Sequence, residues 1–107
     1  MDKIKVSDIK SLVIRNRIVW TDHLTLRFIE RGIKRADVLE CIEKCEIIEK
    51  YPDLYPSPAC LIYALLKSGK ALHVVVGIKD ELLYIITAYY PTLVKWENDF
   101  KTRKKVK

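Results

Sequence analysis

Three apolar runs, residues 60–66, 71–78 and 82–90, are rich in β-branched and aromatic side chains and are separated only by short polar turns, Ser68-Gly69-Lys70 and Lys79-Asp80-Glu81. Connections this short join antiparallel neighbours, because a parallel crossover needs a dozen residues or more. The stretch therefore reads as a meander of three strong strands, ended by Pro91. The first 45 residues carry a different period. Residues 7–18 place Ile9, Leu12, Val13 and Ile18 near helical spacing and predict a first helix. Thr21 is a good N-cap for a second helix running to Arg31, with Gly32 placed to close it in the left-handed conformation. Residues 35–45 put Val38, Cys41, Ile42 and Cys45 on one face of a third helix. Residues 46–51, Glu-Ile-Ile-Glu-Lys-Tyr, have the charge content of an edge strand and lead into a loop with Pro52, Pro56 and Pro58. Helices first and strands after predict an α+β fold: N-terminal helices packed on an antiparallel meander of three to four strands, with a short C-terminal helix or tail. A length of 107 residues suits one domain, with helices over about 7–45, the sheet over about 46–90 and a basic tail at 101–107.

Charge is distributed unevenly. The net charge of +6 divides into +5 over residues 1–35, −4 over 36–55, zero over 56–100 and +5 in the last seven. A basic head and tail flank an acidic middle, and the excess suggests an acidic partner. No apolar run approaches the roughly 18–20 residues of a membrane helix, and the first residues contain no apolar stretch resembling a secretory signal. Three cysteines, Cys41, Cys45 and Cys60, cannot all pair within one chain. The expectation is a cytoplasmic protein with reduced thiols and no membrane partner. Cys41 and Cys45 could hold two metal ligands on one helix face, but no CxxC or nearby His completes a set, so they read as small buried residues. No metal or cofactor is expected.

Three features could carry chemistry. His23, Arg27 and Arg31 recur every fourth residue along one stripe of the second helix, beside the core-facing Leu24 and Phe28. Guanidinium groups there could grip phosphate oxygens in pairs. The alternative is structural, with Arg31 paired to an acid such as Asp37 and His23 partly buried.

His73 interrupts an apolar strand and lies on the opposite face from Leu72 and Val74. A three-residue turn over 79–81 would set it directly opposite Thr87, with Tyr89 a diagonal neighbour. That face would then join an imidazole, a hydroxyl and a phenol, a set suited to proton transfer near neutral pH. A turn of two or four residues would pair His73 with Ala88 or Ile86 and dissolve the cluster. A hydrogen-bonded core histidine is the other reading.

The tail brings Trp96 close to Lys101, Arg103 and Lys104. An aromatic beside a basic run could stack a base and neutralise phosphates, or the run could simply be solvated. The loop over 51–58 also offers tyrosines, or is a stiff crossover. The strong strands contain no Asp or Glu outside their turns, which makes a carboxylate cluster for a two-metal nuclease hard to assemble. There is no glycine-rich phosphate loop, no HExxH and no nucleophile elbow, so metal catalysis, nucleotide hydrolysis and acyl transfer are not expected.

Thr21-Asp22-His23, Arg27, Arg31-Gly32-Ile33, Asp37-Val38, Glu46-Ile47-Ile48-Glu49-Lys50-Tyr51, His73-Val74-Val75, Thr87-Ala88-Tyr89, Pro91, Trp96 and Arg103 resemble, in order and spacing, the domain of unknown function family 4258. The likeness runs from about Thr21 to Arg103. One departure is Lys34, where the family usually has a small capping residue; lysine cannot accept backbone N–H bonds there, at a cost of ~1 kcal/mol. The family is similar to the motility quorum-sensing regulator toxin and to RelE-like ribonucleases. What the resemblance implies is the toxin of a toxin–antitoxin pair, with an antitoxin protein of zinc-finger type as partner. With the residues above, it suggests a metal-independent endoribonuclease that cleaves RNA, with mRNA the expected substrate, by 2′-hydroxyl attack. His73 would be acid or base with Tyr89 and Thr87 nearby, and His23 a second proton-transfer group. Arg31 would act at the reacting phosphate, while Arg27, Arg103, Trp96, Lys101 and Lys104 would hold RNA. The alternatives are a toxin that blocks its target without cleavage and a nucleic-acid- or protein-binding module.

Overall fold

A computed structural model describes residues 4–105 of the chain. Its elements, in order, are α1 (Val6–Ile14), β1 (Ile18–Val19), α2 (Asp22–Arg31), α3 (Arg35–Lys44), β2 (Glu46–Tyr51), β3 (Ala59–Leu65), β4 (Ala71–Lys79) and β5 (Leu82–Tyr89). The fold is α+β: three helices lie on an open five-stranded mixed sheet of order β1-β5-β4-β3-β2. Among the described residues, no helix is long and apolar enough to cross a membrane.

The first helix is shorter than its apolar spacing predicts. Asn16 takes the left-handed conformation (φ 58°), and the Asn16 and Arg17 N–H groups donate back to the Val13 and Leu12 carbonyls. That pattern closes a helix, and asparagine adopts it more readily than most residues. Ile18 is thereby released into β1, a strand the helical reading of residues 7–18 misses. β1 pairs parallel with β5 through Ile18–Leu83 and Val19–Tyr84. The second helix matches expectation: Thr21 Oγ1 accepts from the Leu24 N–H at 3.1 Å, and Gly32 closes the helix at φ 69°. Lys34 caps α3 without a side-chain acceptor, but the Asp37 carboxylate accepts from the Lys34 N–H at 2.9 Å and supplies one half of the missing cap.

Helix residues Ile9, Leu12, Leu24, Phe28, Val38, Cys41 and Ile42 pack on Cys60, Ile62, Leu72, Val74, Val76, Leu83 and Ala88 in one core. Alternation along β3, β4 and β5 sends Leu61, Tyr63, His73 and Tyr89 to the other face. Leu61 and Trp96 are fully buried outside the helix-side core. The second face is covered by residues 91–105, a C-terminal strap folded back on itself: the Glu97 N–H donates to the Thr102 carbonyl, the Lys104 N–H to the Lys95 carbonyl, and Trp96 bridges Arg103. The expected short helix or tail is thus an ordered, non-helical cover. Residues 106 and 107 of the basic tail lie outside the described residues.

Two bulges decide what faces the strap. The β4–β5 turn has two residues, Asp80 and Glu81, both at positive φ, as a type I′ hairpin turn requires. Continued unchanged, that register would set His73 against Ala88. An irregularity between Val75 and Val76 leaves Ile86 without a partner, and His73 lies opposite Tyr89 instead. The expected pairing of His73 with Thr87 is therefore corrected twice, by a shorter turn and by the bulge. In β2, a second bulge at Ile48 puts Glu46 opposite Tyr63 and Glu49 opposite Leu61, so both carboxylates face the strap although they are an odd number of residues apart.

Candidate functional site

The strap face gathers one set of polar groups. His73, 0% exposed, stands on central strand β4 between Tyr63 and Tyr89, its ring edge-on to Trp96 with centroids 4.5 Å apart. Its Nε2 lies 2.6 Å from the Phe100 carbonyl and its Nδ1 3.2 Å from the Tyr89 hydroxyl. A carbonyl only accepts, so Nε2 carries the proton and donates to Phe100, while Nδ1 accepts from Tyr89. This is a neutral imidazole with both nitrogens satisfied. Burial holds its pKa below the ordinary histidine value, outweighing the upward pull of the Phe100 carbonyl. Burial likewise raises Tyr89, which keeps its proton.

Above this layer the site opens. Arg103 Nε and Nη2 donate to the two Glu49 oxygens at 2.7 and 3.2 Å, a bidentate pair, and the guanidinium stacks on Trp96 at 4.6 Å. The Tyr51 hydroxyl donates to Glu49 Oε1. Burial pushes the Glu49 carboxyl up, but the Arg103 and Tyr51 hydrogen bonds outweigh it, and its pKa is held below the usual carboxylate value. Tyr51 is pushed up to about 12, first by burial and then by the Glu49 carboxylate. Beside them Lys101 Nζ pairs with Glu46 at 3.0 Å and lies over the Tyr63 ring. The side chains of Glu49 and Arg103 remain 23% and 52% exposed, within reach of a ligand.

Several expected roles change here. Trp96 is 2% exposed and cannot offer its face to a base. Lys101 and Arg103 are engaged by Glu46 and Glu49, so the acidic middle of the sequence neutralises much of the described basic tail. Lys104 is exposed, and its backbone N–H donates to the Lys95 carbonyl. Thr87 joins Arg31 rather than His73: Arg31 Nη1 donates to Thr87 Oγ1 at 3.2 Å and to the Ala88 carbonyl at 2.7 Å, at the outer edge of β5. Asp37 is not the Arg31 partner. His23 and Arg27 are exposed on α2, which packs on the helix face, so His23 cannot share a site with His73.

Sequence reasoning gave Glu49 no site role, reading its strand as an edge by charge content, and offered Tyr51 only as an aromatic of the following loop. A signal existed in the two glutamates of opposite charge to the tail, but only the bulge at Ile48 brings both to one face. Among the described residues, no three metal-ligating side chains converge. Burial pushes the Cys41 and Cys60 thiols up to about 12, as suits inert core residues.

The fold and site define a small α+β domain with a buried histidine–tyrosine pair under a carboxylate–guanidinium–phenol cluster. The chain belongs to DUF4258, a domain of unknown function, whose family model matches residues 20–90. The match includes Arg31, Glu49, Tyr51, His73, Thr87 and Tyr89 and ends before the strap, leaving Trp96 and Arg103 outside it. Comparison with curated proteins and with solved structures returned no match.

Proposed function

We propose that this protein is the toxin of a toxin–antitoxin pair, an endoribonuclease of RelE-like type that cleaves RNA without a metal ion, restrained by an antitoxin protein of zinc-finger type. The observation that carries the reading is the partly exposed Glu49–Arg103–Tyr51 cluster, which holds a base, a cation and a proton donor side by side. The fork with which Arg103 grips Glu49 also fits a phosphate. When an RNA phosphodiester takes Arg103, Glu49 loses the partner that depresses its pKa and becomes a better base. Glu49 then removes the proton of the ribose 2′-hydroxyl. The 2′-oxygen attacks phosphorus and the P–O5′ bond breaks. Arg103 stabilises the charge of the phosphorane, and Tyr51 donates its proton to the leaving 5′-oxygen. The products are a 2′,3′-cyclic phosphate and a free 5′-hydroxyl. His73 and Tyr89 are positioning residues in this scheme, holding Phe100 and with it the strap that carries Arg103.

The test is incubation of the purified chain with single-stranded RNA in EDTA, followed by end-group analysis. Cyclic phosphate ends are expected, with Glu49→Gln and Arg103→Gln each reducing the rate by about 10²-fold or more. Intact RNA, with growth arrest retained on expression, would overturn the nuclease reading in favour of a toxin that acts by binding alone.

A further inference from the structure

The outer edge of β5 is only partly covered. β1 pairs with Leu83 and Tyr84, and from Ile85 to Tyr89 no strand among the described residues lies on that side. Arg31 occupies the gap. Both hydrogens of its Nη1 are used, one on the Ala88 carbonyl and one on Thr87 Oγ1. A guanidinium has five N–H groups, and the three on Nε and Nη2 form a fork with no hydrogen-bond partner among the described residues. The Thr87 hydroxyl accepts from Arg31 and keeps its own proton to donate. Unlike an ordinary surface arginine, Arg31 is anchored in one orientation, and much of the ordering cost of gripping an anion is already met.

Further cations lie on the adjoining elements. Lys70 Nζ lies over the Tyr90 ring at 5.0 Å, and the Tyr90 hydroxyl donates to the carbonyl of Gly32, the residue after Arg31. Arg27 lies one turn earlier on α2, and Lys34 caps α3 just beyond Gly32. Among the described residues none of Arg27, Arg31, Lys34 and Lys70 forms an ion pair, whereas Arg15, Lys44, Lys101 and Arg103 all do. Two acids lie nearby: Asp37, one oxygen of which accepts the Lys34 N–H while its charge acts on Tyr90, and Glu30 on α2, against four cations. Anchored donors amid several unpaired cations suit a ligand with repeated negative charge rather than a single carboxylate.

We infer that Arg31 and Thr87 form an oxyanion subsite for a backbone phosphate of single-stranded RNA, with Arg27, Lys34 and Lys70 holding its neighbours. The choice of RNA rests on the reading of the preceding section. The subsite itself is separate: in strand order, β5 lies three places from β2, which carries Glu49. It anchors the strand and takes no part in the reaction.

The test uses a 2′-O-methyl single-stranded RNA, which cannot be attacked at its own 2′-oxygen, with binding followed by fluorescence anisotropy across a salt series. Arg31→Lys keeps the charge but loses the fork and is expected to weaken binding about tenfold. Thr87→Val keeps the shape of the strand and is expected to weaken it about threefold, which guards against a loosened β5 edge in the arginine variant. Replacing both Arg27 and Lys70 by Gln should reduce the salt slope by about 1.4. If wild type binds and cleaves RNA while Arg31→Lys and Thr87→Val bind equally well, the subsite is overturned and the nuclease reading stands. If RNA is neither bound nor cleaved, yet inorganic phosphate shifts the Arg31 Nε–H resonance in wild type and Thr87→Val reduces that effect, the oxyanion subsite stands without RNA as its ligand. Absence of any response to RNA or phosphate overturns it, and polyglutamate binding as tightly as RNA would reassign the patch to an acidic protein.

Discussion

His73 Nε2 lies 2.6 Å from the Phe100 carbonyl oxygen, so one proton joins the central strand of the sheet to the strap that covers it. That bond requires only the neutral ring, but Nδ1 can accept from Tyr89 only while it is unprotonated. Burial depresses the folded pKa below the ordinary value of 6.5. Between the two values the unfolded chain binds more protons, so stability is complete above about pH 6.5 and falls as pH drops towards the folded pKa, by up to ~1.4 kcal/mol per unit. Urea melts from pH 7.5 to 5 should show this slope, and His73→Gln should flatten it. Glu49, held low against its own burial by Arg103 and Tyr51, adds its loss only below about pH 4.5.

Tyr89→Phe removes the donor to His73 Nδ1 and leaves a buried acceptor unsatisfied. A loss of about 1–3 kcal/mol is expected by chemical denaturation. Equal stability would mean that the ring alone matters at this position.

Trp96 is enclosed by His73 and the Arg103 guanidinium. Truncation to alanine opens a cavity on the strap face, and the expected cost is about 3–5 kcal/mol. Solvation of a freely exposed base platform would instead leave the melting temperature unchanged.

The Glu49–Arg103 pair is bidentate but its guanidinium is half in solvent, so its contribution to stability is small. A double-mutant cycle of Glu49→Gln and Arg103→Gln should give a coupling of about 0.5–1 kcal/mol, reduced by salt. A coupling near zero at low salt would show that the two charges do not hold the strap.

Much of the fold was readable because it rests on local signals: the Thr21 cap, the Gly32 terminus, the short hairpins and the edge character of residues 46–51. β1 was not, since a two-residue strand leaves almost no periodic trace and the apolar spacing of Ile18 fits a helix equally well. The site was only partly readable for the same reason. The strand spacing sets Tyr89 as a diagonal neighbour of His73, but their direct contact depends on an unpaired Ile86, and bulges have no reliable sequence signature. The engagement of Lys101 and Arg103 by Glu46 and Glu49 is a long-range pairing that a segmental charge count hints at without assigning partners.

The parallel pairing of β1 with β5 has a kinetic consequence. The hairpins of β3, β4 and β5 close short loops, which favours their early formation, whereas the Leu83 N–H bond to the Arg17 carbonyl, 2.8 Å, joins residues far apart in sequence. β1 and α1 are therefore expected to dock last, on a sheet already assembled. In native-state hydrogen exchange, the Leu83 amide should open at lower free energy than the amides that join β3 to β4.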